Sequence, residues 1–149
     1  MRGNASEIIA LAALWGLEGE AADLVRARGV DTTDTVDAAR GAAVALARYT
    51  GGAVVVSGET DLITDGSTVV KSHGGSPLMS KITGCGCSQG GVLAVYACVT
   101  DPFTAAVCGT AVYNVAGTRA AAVADAPASF KVAFIDELYR ATARDIADN

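Results

Sequence analysis

The chain has 149 residues, of which 51% are hydrophobic and 18% charged, with a net charge of −5 and a sequence pI near 4.7. That length fits one domain spanning residues 1–149, the composition excludes a disordered chain, and the acidic balance excludes a broad nucleic-acid footprint. No apolar run reaches the roughly 18 residues of a membrane span, and the Met1-Arg2-Gly3-Asn4 opening lacks an apolar signal segment, so a cytoplasmic protein away from membranes is expected.

Residues 4–27 read as helical, with a break near Gly16 to Gly19. Asn4 is a good N-cap, and Glu7 follows at capping-box spacing. Ile8, Leu11, Ala12 and Trp15 fall on one face. Gly29-Val30-Asp31 reads as a turn. Asp34 or Thr35 opens a second helix running to about Tyr49, with Val36, Ala39, Ala43 and Leu46 as its stripe and Gly51-Gly52 as its stop.

Ala53 to Ser57 is a short apolar run that reads as a buried parallel strand. Asp61 to Thr64 and Thr68 to Ser72 flank Asp65-Gly66-Ser67, a hairpin signal. Gly74-Gly75-Ser76-Pro77 is a loop. An apolar helix is predicted over about Cys87 to Val99, a second from Asp101-Pro102 to about Ala124, and a last one over about Ser129 to Ala147. In that last helix Val132, Ile135, Leu138 and Ile146 are assigned to the inner side. The order is helix, helix, strand, hairpin and three helices, an α/β pattern with few strands. Because no strand precedes the first helix, a sheet partner is expected from upstream or from another polypeptide.

Four cysteines, Cys85, Cys87, Cys98 and Cys108, fit neither a disulfide framework nor the usual zinc-knuckle spacing. Cys98 and Cys108 lie on apolar helices and read as core. The informative segment is Thr83-Gly84-Cys85-Gly86-Cys87. Alternate glycines let backbone approach a ligand closely, and a helix starting there offers free N–H groups and the positive end of its dipole to a phosphate. Cys87, in the first turn, is placed to take or orient the proton of a substrate hydroxyl. The plain alternative is a packing turn with a small filler side chain.

Arg2-Gly3-Asn4-Ala5-Ser6-Glu7-Ile8, Gly29-Val30-Asp31, Ser57-Gly58-Glu59-Thr60-Asp61, Thr83-Gly84-Cys85-Gly86-Cys87 and Ala126-Pro127-Ala128-Ser129-Phe130 come in the order of successive signatures in one family. The sequence thereby resembles hydroxyethylthiazole kinase over essentially its whole length. The resemblance implies the carboxy-terminal part of a ribokinase-like α/β fold, with the first strands missing ahead of Met1. It implies ATP- and Mg²⁺-dependent phosphorylation of the hydroxyl of 4-methyl-5-(2-hydroxyethyl)thiazole, by a homotrimer.

Carried over by position, the resemblance makes Arg2 and Ser57 ATP contacts, Ser57 standing where the family usually has threonine. Gly84 lies near the thiazole and Cys87 at the catalytic position. The helix start itself makes Cys85, Gly86 and Cys87 the candidate anion hole, and the resemblance has Asn4 and Glu7 organise Mg²⁺ through water. Read without the family, Asn4 and Glu7 are equally a capping box, Arg2 a terminal cation and Ser57 a strand end. Asp61 and Asp65 read as turn residues, and His73 as a solvated loop residue. Ala126 and Ala128 depart from the family's glycines, and Cys85 from its usual threonine. The alternative to an active kinase is a truncated, non-catalytic remnant, or a half-domain needing a complementary N-terminal polypeptide.

Overall fold

A computed structural model describes residues 1–17, 19 and 35–147. In chain order it runs β1 (Arg2–Asn4), α1 (Ala5–Leu14), α2 (Thr35–Ala38), α3 (Arg40–Thr50), β2 (Val54–Ser57), β3 (Asp61–Thr64) and β4 (Val69–Ser72). A 3₁₀ turn (Pro77–Lys81) follows, then α4 (Cys85–Ala97), α5 (Pro102–Ala121), α6 (Pro127–Arg140) and α7 (Ala143–Ala147). The Gly29-Val30-Asp31 turn lies outside the described residues.

The sheet order is β1-β2-β3-β4, with β1 parallel to β2 and the remaining pairs antiparallel. Helices cover both faces. Val54, Val56 and Leu62 pack with Ile8, Ala12, Val36, Ala43 and Leu46 of α1 to α3 on one side. Val55 and Ile63 pack with Ala106 and Leu93 of α5 and α4 on the other. A strand buried on both faces cannot alternate apolar with polar, which is why Val54 to Val56 form an unbroken apolar run.

β1 corrects the expectation that no strand precedes the first helix. Three residues carry no periodicity, and the strand exists through its pairing of Arg2 with Val55 and Asn4 with Ser57. The first helix ends at Trp15, and Gly16 turns the chain at φ +72°, where the break is expected; residues 18 and 20–27 of the predicted span lie outside the described residues. Asn4 and Glu7 do form a capping box, each side chain bonded to the other's backbone N–H.

The hairpin holds as predicted, with Asp65 Oδ1 accepting the N–H groups of Ser67 and Thr68. The helix after the glycine segment starts at Cys85, two residues early, with Gly84 as its N-cap at φ +85°. Asp101 caps α5 as expected.

The long last helix is two helices, and of the residues assigned to its inner side Leu138 packs against the core while Val132 and Ile135 do not. Val132 and Ile135 are 64% and 56% exposed, while Phe130 and Phe134 are buried. Phe134 meets Tyr113 of α5 edge-on at 4.8 Å and stacks on Phe130 at 5.9 Å. The aromatic pair, with more area to bury, takes the contact in place of the aliphatics. Cys98, expected in the core, is exposed. Among the described residues no helix is long and apolar enough to cross a membrane.

Candidate functional site

Arg2 leaves the edge strand β1 and reaches across the sheet's end to the start of α4. Its Nη2 donates to Ser57 Oγ at 2.7 Å, and its Nε donates to Gln89 Oε1 at 3.0 Å. Ser57 sits at the end of β2, beside Asn4 in register, so two neighbouring strand ends and one helix converge. The guanidinium lies close against Gly86: a Cβ added there would meet Arg2 Nη1 at 2.7 Å. Only glycine admits that approach.

The first turn of α4 therefore faces a cation. Its intrahelical bonding begins with Ser88 N–H to Gly84 carbonyl at 2.8 Å. Among the described residues the N–H groups of Gly86 and Cys87 have no acceptor, as befits a helix start. Cys85 departs from the predicted trio of amides, because its N–H points back to the Ile82 carbonyl at 3.4 Å. Its thiol is also turned inward, 3.4 Å from the Tyr113 hydroxyl. That hydroxyl donates to the Cys85 carbonyl and meets Ser88 Oγ at 2.7 Å. Burial, then the Cys85 contact, push the Tyr113 phenol above its ordinary range, so it stays a donor at neutral pH. Cys87, two residues on, is exposed.

Two openings flank this wall. A cleft of about 950 Å³ carries Ser57, Asp61, His73, Gly75, Gln89 and Asn114. A groove of about 890 Å³ under the β1 edge carries Glu7, Leu11, Cys87 and Leu93. Arg2 and Gly86 line both. Ser57 thus faces the cleft and Cys87 the groove, with the guanidinium between them. Gly84 stands at the head of α4, and a methyl group added to it would meet nothing within 4 Å. Asn4 and Glu7 are spent on their capping box, although Glu7 also lines the groove. Among the described residues no group of three or more His, Cys, Asp or Glu side chains gathers as a metal site.

Sequence reasoning missed Gln89, Asn114 and Tyr113, and set Asp61 aside as a turn residue. Asp61 does accept the Gly58 N–H, but it is 5% exposed and also accepts from Asn114 Nδ2. A signal existed for two of them: Gln89 and Asn114 are lone amides inside apolar helices, which must find partners when buried.

The sequence profile of the hydroxyethylthiazole kinase family matches residues 1–144. The chain belongs to that family. Hydroxyethylthiazole kinase of Bifidobacterium longum (strain DJO10A) is 48% identical over 166 residues, covering 100% of this chain and 53% of that protein. The hydroxyethylthiazole kinase of Cereibacter sphaeroides (strain ATCC 17029 / ATH 2.4.9) is 42% identical, covering 93% and 50%. A solved hydroxyethylthiazole kinase structure from Pyrococcus horikoshii OT3 superposes with a TM-score of 0.74 at 26% identity, covering 99% of this chain and 51% of that one. The chain spans about half the length of the curated relatives it matches. For a hydroxyethylthiazole kinase family member, a partial α/β sheet with its helices in place is the architecture such coverage yields.

Proposed function

We propose that this chain is the carboxy-terminal half of a cytoplasmic, homotrimeric kinase that transfers the γ-phosphoryl of ATP to the hydroxyl of 4-methyl-5-(2-hydroxyethyl)thiazole. One observation carries the reading: a guanidinium with no carboxylate partner among the described residues lies against the positive end of α4, between two clefts. Two positive poles side by side repel unless an anion joins them. A polyphosphate is such an anion.

In this reading Arg2 and Ser57 hold the nucleotide from the cleft. The N–H groups of Gly86 and Cys87, with Cys85 completing the loop, face the transferring phosphoryl group and stabilise its developing charge. The thiazole alcohol lies on the groove side near Gly84. Its hydroxyl oxygen attacks the γ-phosphorus, its proton passes to Cys87 Sγ entering as the thiolate, and the bond to the ADP oxygen breaks. Asn4 and Glu7 offer oxygen chemistry suited to Mg²⁺, and their capping bonds leave contact through water. Mg²⁺, when bound, would neutralise charge on the β- and γ-phosphate oxygens.

The test is calorimetric titration of the chain with ATP, followed by phosphorylation of the thiazole alcohol in the presence of the amino-terminal half of a relative. ATP binding lost in Arg2→Ala supports the reading, and equal binding by that variant removes it.

A second reading, a half-domain that needs a complementary polypeptide, has its own observation. The β1–β2 register turns the backbone N–H and carbonyl of Arg2 away from β2, toward the open side of the sheet. α1 and α4 overhang that edge and line the groove beneath it with Leu11, Leu93 and Ala97. Activity that appears only with an added amino-terminal half supports this reading.

A further inference from the structure

We infer that Gln89 and Ser57 act as a neutral clamp that aims the Arg2 guanidinium without cancelling its charge, which makes Gln89 a positioning residue for phosphate binding. The inference rests on the reading of Arg2 as a nucleotide contact.

Gln89 lies in α4 one turn beyond the glycine segment and is 3% exposed. A carboxamide in an apolar helix is unfavourable to bury unless bonded. Its side chain meets Arg2 Nε at 3.0 Å. Arginine carries donors only, so the carbonyl oxygen of Gln89 must face it, and the orientation of the amide is fixed. Ser57 Oγ takes a second guanidinium nitrogen at 2.7 Å. Two acceptors from different elements set both the position and the plane of the guanidinium, and Gly86 leaves room for its terminal nitrogens.

The chemistry of the acceptors is the telling feature. A carboxylate at position 89 would hold the guanidinium at least as firmly, through a charge-assisted bond. It would also neutralise the cation. Ion pairs among the described residues occupy Lys71, Arg119 and Arg140 and leave Arg2 out. Neutral acceptors orient the arginine and keep its full charge for an incoming anion. A purely structural arginine needs orientation alone, so the two roles separate on substitution.

The experiment follows the Arg2 Nε–H by NMR in the 149-residue chain and measures ATP affinity calorimetrically in the wild type, Gln89→Met and Gln89→Glu. Gln89→Met keeps the side chain's length without the acceptor. It is expected to speed Nε–H exchange with solvent and to weaken ATP binding, each by about tenfold. Gln89→Glu is expected to keep Nε–H protected yet weaken ATP binding by about tenfold or more. Unchanged Nε–H exchange in a folded Gln89→Met chain overturns the clamp. Wild-type ATP affinity in Gln89→Glu overturns the role of neutrality. A wild-type chain that binds no ATP overturns the nucleotide reading alone, and the exchange comparison still decides whether Gln89 orients Arg2. If Gln89→Met fails to fold, Ser57→Ala tests the other jaw: faster exchange of the Arg2 Nη2 protons is expected, and unchanged exchange overturns the clamp.

Discussion

The Asp61 carboxylate, at the head of β3, accepts from Asn114 Nδ2 of α5 at 3.0 Å, joining elements 53 residues apart. Its other oxygen accepts the Gly58 N–H at 3.0 Å, which closes the loop after Ser57. Asn114 also donates to Ser72 Oγ at 3.1 Å, so the cleft floor is one polar network. Burial pushes the Asp61 carboxyl above its ordinary value, against the opposing pull of Asn114, Gly58 and the Arg2 charge.

A pH dependence follows. Between the ordinary value of 3.8 and the raised folded value, the folded chain keeps a proton that the unfolded chain has lost. Stability therefore falls as pH rises through that window, and the loss is complete above it. Asp61→Asn has no such group. Urea denaturation across about pH 3 to 7 is expected to show the wild type losing stability relative to the variant as pH rises, and parallel curves would contradict it.

The two glycines at the head of α4 predict opposite behaviour. Gly84 is at φ +85° in open space, so Gly84→Ala is expected to cost about 1–2 kcal/mol in backbone strain. Gly86 has no such strain, and an added methyl meets the guanidinium, the far end of a flexible side chain. Gly86→Ala is expected to weaken ATP binding about tenfold by moving Arg2, with its stability cost coming from the loosened Gln89–Arg2 bond and none from backbone strain. Thermal melts and titrations on the pair of variants check both.

Cys87 is exposed toward the groove, whereas Cys85 is sealed against Tyr113. In an enzyme of full family length carrying this half, Cys87→Ala is expected to lower kcat by about 10²-fold or more while leaving KM for ATP within about threefold. Steady-state kinetics at saturating thiazole alcohol measures the split. Cys85→Ala is expected to act on stability instead.

The two faces of α6 give a stability test. Phe134→Ala removes a ring packed on both Tyr113 and Phe130 and is expected to cost about 3–5 kcal/mol. Val132→Ser, on the exposed face, is expected to change stability by no more than about 0.5 kcal/mol. Chemical denaturation of each variant decides which stripe is inside.

Features set by neighbouring residues were readable from the sequence: the Asn4–Glu7 capping box, the hairpin at Asp65-Gly66-Ser67, and the Asp101-Pro102 helix start. So was the buried stripe Val36, Ala39, Ala43 and Leu46. What escaped was set at long range. β1 is three residues made a strand by β2. On α6 two apolar stripes compete at helical spacing, and Tyr113, on another helix, selects the one with the phenylalanines. The Gln89–Arg2 bond spans 87 residues: a lone amide in an apolar helix signals that Gln89 needs a partner, but nothing in the sequence names Arg2 as that partner.

The outward-facing backbone of Arg2 has a practical consequence. A sheet margin unpaired among the described residues and bounded by apolar walls is a template for an added extended polypeptide. Light scattering of the isolated chain should rise with concentration as copies associate reversibly through β1, and co-expression with an amino-terminal companion should suppress that rise.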